Sequence, residues 1–157
     1  MNKILEQEQR NKLNKRLPSW AIKPHPTRSN MTVIHPMAVI ERLNEVFGIG
    51  GWNFTTEYIK CENFIQSTKN GDREMFRSAV KGRLEIPEYG VTLEQFGGSS
   101  NDDMGDSLKG GATDSLTKIA SYLNIGAEIY KGAGNIDYGT QPEPKSEFKT
   151  EVDNFDL

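Results

Sequence analysis

Cysteine and histidine are scarce in this chain, which has one cysteine, Cys61, and two histidines, His25 and His35. A single cysteine cannot form an intrachain disulfide, and this agrees with a reducing compartment. Structural zinc sites usually take four cysteine and histidine ligands, so three such residues exclude one. Both histidines lie close to prolines and are expected to be solvated loop residues.

Long apolar runs are also missing. No stretch approaches the ~20 apolar residues that span a bilayer, and the N-terminus has no apolar segment of the signal-peptide type. The chain contains no GxxxxGK[ST] loop, no dinucleotide motif and no GxSxG elbow. The sequence therefore predicts an intracellular protein that is not an enzyme and needs no cofactor and no metal.

Charge is distributed unevenly along the 157 residues, whose net charge is −3. Residues 132–157 contain six acids and two lysines, a net −4, so the other 131 residues carry +1. This last segment is rich in glycine, proline and charge, which is typical of a disordered tail. We therefore expect one domain over residues 1–131 and a flexible acidic tail over 132–157.

Helical patterns occur on both sides of a strand-rich middle. Residues 3–17 can form a short amphipathic helix, and Pro36 begins a clear helix that Gly48 ends. Residues 99–106 are expected to be a polar loop, with Asp106 or Ser107 capping a second helix that runs to Leu123. Its Gly110–Gly111 pair requires a close packing neighbour.

Three strands are predicted between these helices. Residues 52–65 and 73–86 are rich in aromatic and β-branched residues, and Asn70–Gly71 is a strong hairpin signal between them. A third strand spans 91–98. The sequence thus predicts an α+β fold with a helix, a three-stranded antiparallel β-meander and a second helix.

The second strand has two different faces. Side chains alternate with period two, so one face is mostly apolar and the other carries Arg73, Arg77, Lys81 and Arg83. Cations two residues apart are ~6.6 Å apart, close to the ~6–7 Å phosphate spacing of an extended single strand. An ordinary solvated strand face explains the same pattern, and Glu85 could neutralise part of it.

Two segments carry a family resemblance. AVIERLNEVFGIGGWNF (38–54) and GGATDSLTKIASYLNIGAEIY (110–130) resemble the two core helices of the Rad-fifty-two family of single-strand annealing proteins, with the meander between them. The resemblance covers about residues 10–131. It implies a β-β-β-α core that assembles into rings or filaments and binds single-stranded DNA in a basic groove without ATP or metal. Thr117 and Lys118 stand where that family has a Lys-Arg pair, so one cation is missing.

The resemblance and the charge pattern together predict a set of DNA contacts. Tyr58, Phe64 and Tyr89 are candidates for stacking on bases, although core packing is the favoured interpretation for each. The basic residues expected to contact the phosphates of single-stranded DNA are Lys23, Arg28, Arg73, Arg77, Lys81, Arg83, Lys109 and Lys118.

The functional prediction is ATP-independent annealing of complementary strands in recombination and repair, by a homo-oligomeric ring in a bacterial or phage-infected cell. The acidic tail could dock on a replication or single-strand-binding protein, compete with DNA, or only aid solubility. Two alternatives stay open. One is a small interaction or regulatory module without annealing activity, and the other is a nuclease that uses the Asp102–Asp106 acids.

Overall fold

The computed structural model describes residues 2–25, 28 and 31–132. They form a three-stranded antiparallel sheet with helices on one side and a small two-stranded hairpin. The elements are α1 (Gln7–Asn14), β1 (Ile22–Pro24), β2 (Thr32–Ile34), α2 (Pro36–Phe47), β3 (Asn53–Thr68), β4 (Gly71–Ile86), β5 (Val91–Asn101), α3 (Met104–Tyr122) and α4 (Ala127–Tyr130). The predicted α+β architecture is confirmed. The expected tail over 132–157 lies outside the described residues, apart from Gly132.

The meander has the strand order β3-β4-β5, with both neighbouring pairs antiparallel. The Asn70–Gly71 signal is confirmed, because the chain turns there and Gly71 has a φ of 111° that favours glycine. The β3-β4 pairing continues to Thr68 and Gly71, whereas β5 ends opposite Phe76. The hairpin therefore projects beyond the third strand as a two-stranded ribbon.

The start of α3 differs from the sequence prediction. Residues 99–101 belong to β5 and pair with Phe76–Ser78, so the expected polar loop shrinks to residues 102–103. Asp103, rather than Asp106 or Ser107, caps the helix, and its Oδ1 accepts from the Asp106 N–H at 2.9 Å. The predicted loop was too long because Ser99 and Ser100 are polar, and polar residues favour loops. Pairing with β4 holds both serines in a strand.

Helix α3 lies very close to the sheet. A side chain at Gly97 would overlap the Gly111 carbonyl oxygen, and one at Gly111 would lie 3.0 Å from Val80. The expectation of a close neighbour at Gly110–Gly111 is therefore confirmed. The buried Ser107 hydroxyl of α3 lies 3.0 Å from the Ser99 carbonyl oxygen of β5, so it has a hydrogen-bond acceptor where the helix meets the sheet.

The core lies between the helices α1, α2 and α3 and the C-terminal end of β4. Leu43, Leu84, Ile86 and Ile119 are fully buried there. Burial of this apolar surface is the main stabilising contribution to the fold. Because these helices all pack on one side, they leave the opposite face of the sheet for other contacts.

Buried Arg42 of α2 fixes the N-terminal segment. Its Nη1 donates to the carbonyl oxygens of Lys12 and Lys15, each at 2.6 Å, and its Nε lies 3.2 Å from Glu45. These bonds satisfy carbonyl groups at the C-terminal end of α1. Helix α1 is shorter than the helix predicted over residues 3–17, since it begins at Gln7 and ends at Asn14.

His35 is not the solvated loop residue that was expected. Its Nδ1 accepts from the Met37 N–H at 3.2 Å, which caps α2, and its ring lies edge-on to Trp20 at 5.8 Å. An N-cap role was missed because histidine is not among the residues usually favoured there.

Candidate nucleic-acid interface

The predicted contacts on β4 and α3 lie on two sides of the sheet. Ser78, Val80, Gly82, Leu84 and Ile86 of β4 are buried on the side of α3. The alternate residues of β4, including its four cations, therefore point away from the helix. A single strand crossing this face of one protomer does not reach Lys109 and Lys118 on α3 without passing an edge of the sheet.

We call the side of the sheet opposite α3 the outer face. Cross-strand pairing places five cations and four carboxylates on it, so its charges nearly balance. The cations are Lys60, Arg73, Arg77, Lys81 and Arg83, and the carboxylates are Glu57, Glu62, Glu85 and Glu94. The stripe of β4 that looked basic in the sequence is thus compensated by neighbouring strands.

Glu94 on β5 is shared by two of the predicted cations. Its Oε2 lies 2.9 Å from Lys81 Nζ, and its Oε1 lies 3.2 Å from Arg83 Nη1. Arg83 also binds Glu85, with Nη2 to Oε1 at 2.6 Å. Hydrogen bonding from Lys81 holds the pKa of Glu94 below its usual value, with a further lowering from Arg83. The carboxylate is therefore charged at neutral pH.

Arg77 is arranged differently. Its guanidinium lies over the Phe64 ring, 4.7 Å from the centroid, as a cation–π pair. Within the described part of the chain, no carboxylate lies within 4 Å of it. A cavity of about 470 Å³ adjoins the pair and is lined by Cys61, Glu62, Asn63, Phe64 and Arg77. Arg77 is exposed, so its N–H donors can reach an anion above the sheet.

The other cations predicted on the strands and helix have acidic partners. Arg73 Nη2 lies 3.6 Å from Asp102, and Lys109 Nζ lies 2.5 Å from Asp106. Lys118 Nζ lies 2.7 Å from Asp114, whose Oδ2 also accepts from the Gly98 N–H at 2.9 Å. Such exposed pairs contribute little to stability, about 0–1 kcal/mol each, and can exchange partners.

Lys23 and Arg28 lie apart from the outer face, at the β1-β2 hairpin. Lys23 is exposed opposite Val33, and Arg28 Nη1 lies 3.5 Å from the Met31 sulfur. This hairpin approaches α4, because a side chain at Gly126 would meet both Ile34 and Leu17. The structure therefore places these two cations on the helical side of the molecule.

The aromatic candidates behave differently from one another. Tyr89 packs edge-on against Phe47 at 5.6 Å, which agrees with a core role, whereas Tyr58 is mostly exposed. Phe64 contacts Arg77. Sequence analysis missed Phe96, which is 58% exposed and lies directly opposite Lys81. Period-two alternation along the third predicted strand could have indicated its exposure, but pairing with Lys81 required the register.

Among the helices within the described ranges, none is long and apolar enough to cross a membrane. The acids between Asp102 and Asp106 engage neighbouring groups: Asp103 caps α3, Asp102 meets Arg73, and Asp106 meets Lys109.

The chain matches a family of double-strand break repair proteins over residues 5–145. That family is Rad52/22, and the chain belongs to it. Membership implies a DNA-binding, strand-annealing role in recombination and repair, and proteins of this family are generally non-catalytic. A search of curated proteins found no match.

Proposed function

We propose that this protein binds single-stranded DNA and anneals complementary strands without ATP, as a ring or filament of identical subunits. The observation that carries the proposal is the match to the Rad52/22 family over residues 5–145. We further propose that it comes from a bacterium or a phage, acts in the cytoplasm, and uses its acidic tail to contact a replication or single-strand-binding protein.

The outer face supports this function through Arg77 and Phe64. A guanidinium held over an aromatic ring can bind a phosphate through its N–H groups or stack on a base. Binding the backbone releases counterions, so affinity should fall with salt. A strand held in this way leaves most base edges free to pair with a second strand.

The eight predicted cations then divide between two surfaces. Arg73, Arg77, Lys81 and Arg83 belong to the outer face, while the helical side carries Lys23, Arg28, Lys109 and Lys118. A subunit assembly can bring surfaces of neighbouring protomers together, and repetition raises the effective concentration of binding sites.

The near balance of charges on the outer face favours the second candidate function, a protein-interaction module. A compensated surface attracts DNA weakly at long range, whereas a protein partner with matching charges could use it directly. Such a module would show no salt-sensitive DNA binding.

The deciding experiment is annealing of two complementary fluorescent oligonucleotides across a salt series, with EDTA and without ATP. We expect the protein to accelerate annealing, and the acceleration to survive EDTA and fade as salt rises. Heat-unfolded protein serves as the control. Absence of both acceleration and single-strand binding at low salt would replace this proposal with the interaction module.

A further inference from the structure

We propose that Lys81 and Phe96 form a nucleotide-binding position on the outer face, and that Glu94 is an internal competitor for the DNA phosphate at this position. The inference rests on the proposed function, since it concerns how a single strand is held.

The position is built from directly paired residues of β4 and β5. Phe96 stands opposite Lys81 and Glu94 stands opposite Arg83, so all four side chains share one face. Phe96 is exposed and is not among the residues packed against the core. An exposed ring beside a cation offers a stacking surface for a base next to a donor for its phosphate.

Glu94 occupies the place that a phosphate would take. The two oxygens of its carboxylate bind Lys81 at 2.9 Å and Arg83 at 3.2 Å, as two oxygens of a phosphate could. The Lys81 side chain is 30% exposed, so the ammonium is reachable from solvent once the carboxylate is displaced.

Competition changes the salt dependence of binding. A free lysine that neutralises a phosphate adds about 0.7 to the slope of log K against log salt for a single strand. A lysine that must first break an ion pair adds less to this slope. The carboxylate that it leaves behind either repels the DNA or binds a cation from solution. Glu94 thus lowers affinity and flattens the salt dependence.

The test is the Glu94→Gln variant of the full chain, with fluorescence anisotropy on a labelled oligothymidine across a salt series. Lys81 loses its carboxylate partner while Arg83 keeps Glu85. We expect binding roughly five- to tenfold tighter at low salt and a slope steeper by up to about 0.7. Adding Phe96→Ala to this variant should remove part of the gain for oligothymidine but not for an abasic strand of equal length.

Glu57→Gln is the matched control. Glu57 stands opposite Lys81 on β3, but within the described residues it forms no ion pair, so its loss removes the same charge without releasing a cation. If the two substitutions change affinity and slope equally, Glu94 acts only through the net charge of the face. That result would overturn the inference. If the wild-type protein anneals strands and Glu94→Gln changes neither affinity nor slope, only this inference fails. If the wild-type protein binds no DNA, both proposals fail.

Discussion

Arg77 differs from the other cations of β4 in the kind of partner that it has. Arg73, Lys81 and Arg83 each form an ion pair with a carboxylate. Arg77 lies over the Phe64 ring instead, although Glu62 stands opposite it on β3. A cation–π contact covers the face of the guanidinium and leaves the N–H edge available. Arg77 therefore needs to give up no ion pair with the described residues before it binds a phosphate.

We expect Arg77→Ala to weaken single-strand binding and to lower the salt slope by about 0.7, the value for one lost phosphate contact. Arg73→Ala is the control, because it removes the same charge from the same face but breaks an existing pair with Asp102. Anisotropy titrations at several salt concentrations measure both. Equal losses would show that only the total charge of the face matters.

Glycine at the contact between α3 and β5 controls how closely the two elements approach. Gly97 is buried, and the two nearest atoms that an added methyl group would meet belong to the backbone of Gly111 and Ser115. Backbone atoms of a packed helix cannot turn away as a side chain can, so the helix itself would have to shift.

Gly97→Ala should therefore lower the free energy of unfolding by about 2 kcal/mol or more, since overpacking costs about 1–3 kcal/mol. Gly98→Ala should change it by less than about 1 kcal/mol, because Gly98 is exposed and its nearest non-neighbouring atom lies 3.3 Å from the added carbon. Urea unfolding at one protein concentration compares them. A stable Gly97→Ala variant would mean that α3 can move outward.

At the scale of the whole molecule, the buried apolar residues of the described chain lie between Leu13 and Ile125. We propose that the domain ends near residue 131 and that residues 132–157 lie outside its core. Those residues also carry the excess of negative charge, a net −4.

Deletion of residues 132–157 is expected to leave the oligomeric state unchanged and to strengthen single-strand binding at low salt, because the net charge changes from −3 to +1. Light scattering coupled to gel filtration measures the first effect, and anisotropy measures the second. A monomeric truncation of an oligomeric parent would instead make the tail part of the subunit contact.

The sequence by itself determined the order of α2, the three strands of the meander and α3. The hairpin was indicated by Asn70–Gly71, the start of α2 by Pro36 and its end by Gly48. These residues are informative because their effects are local to the backbone. Period-two alternation likewise separated the buried and exposed faces of β4. These signals act between near neighbours, so sequence reasoning could use them.

The tertiary structure alone decided which cations of β4 form ion pairs with carboxylates. Glu94 lies 13 residues from Lys81 in the sequence, and Phe64 lies 13 residues from Arg77. Only the register of the meander brings the Glu94 carboxylate to Lys81 and the Phe64 ring to Arg77. The same register extended β5 to Asn101 and placed the cap of α3 at Asp103. Electrostatic and stacking contacts depend on distances across strands, and spacing along one strand does not contain them.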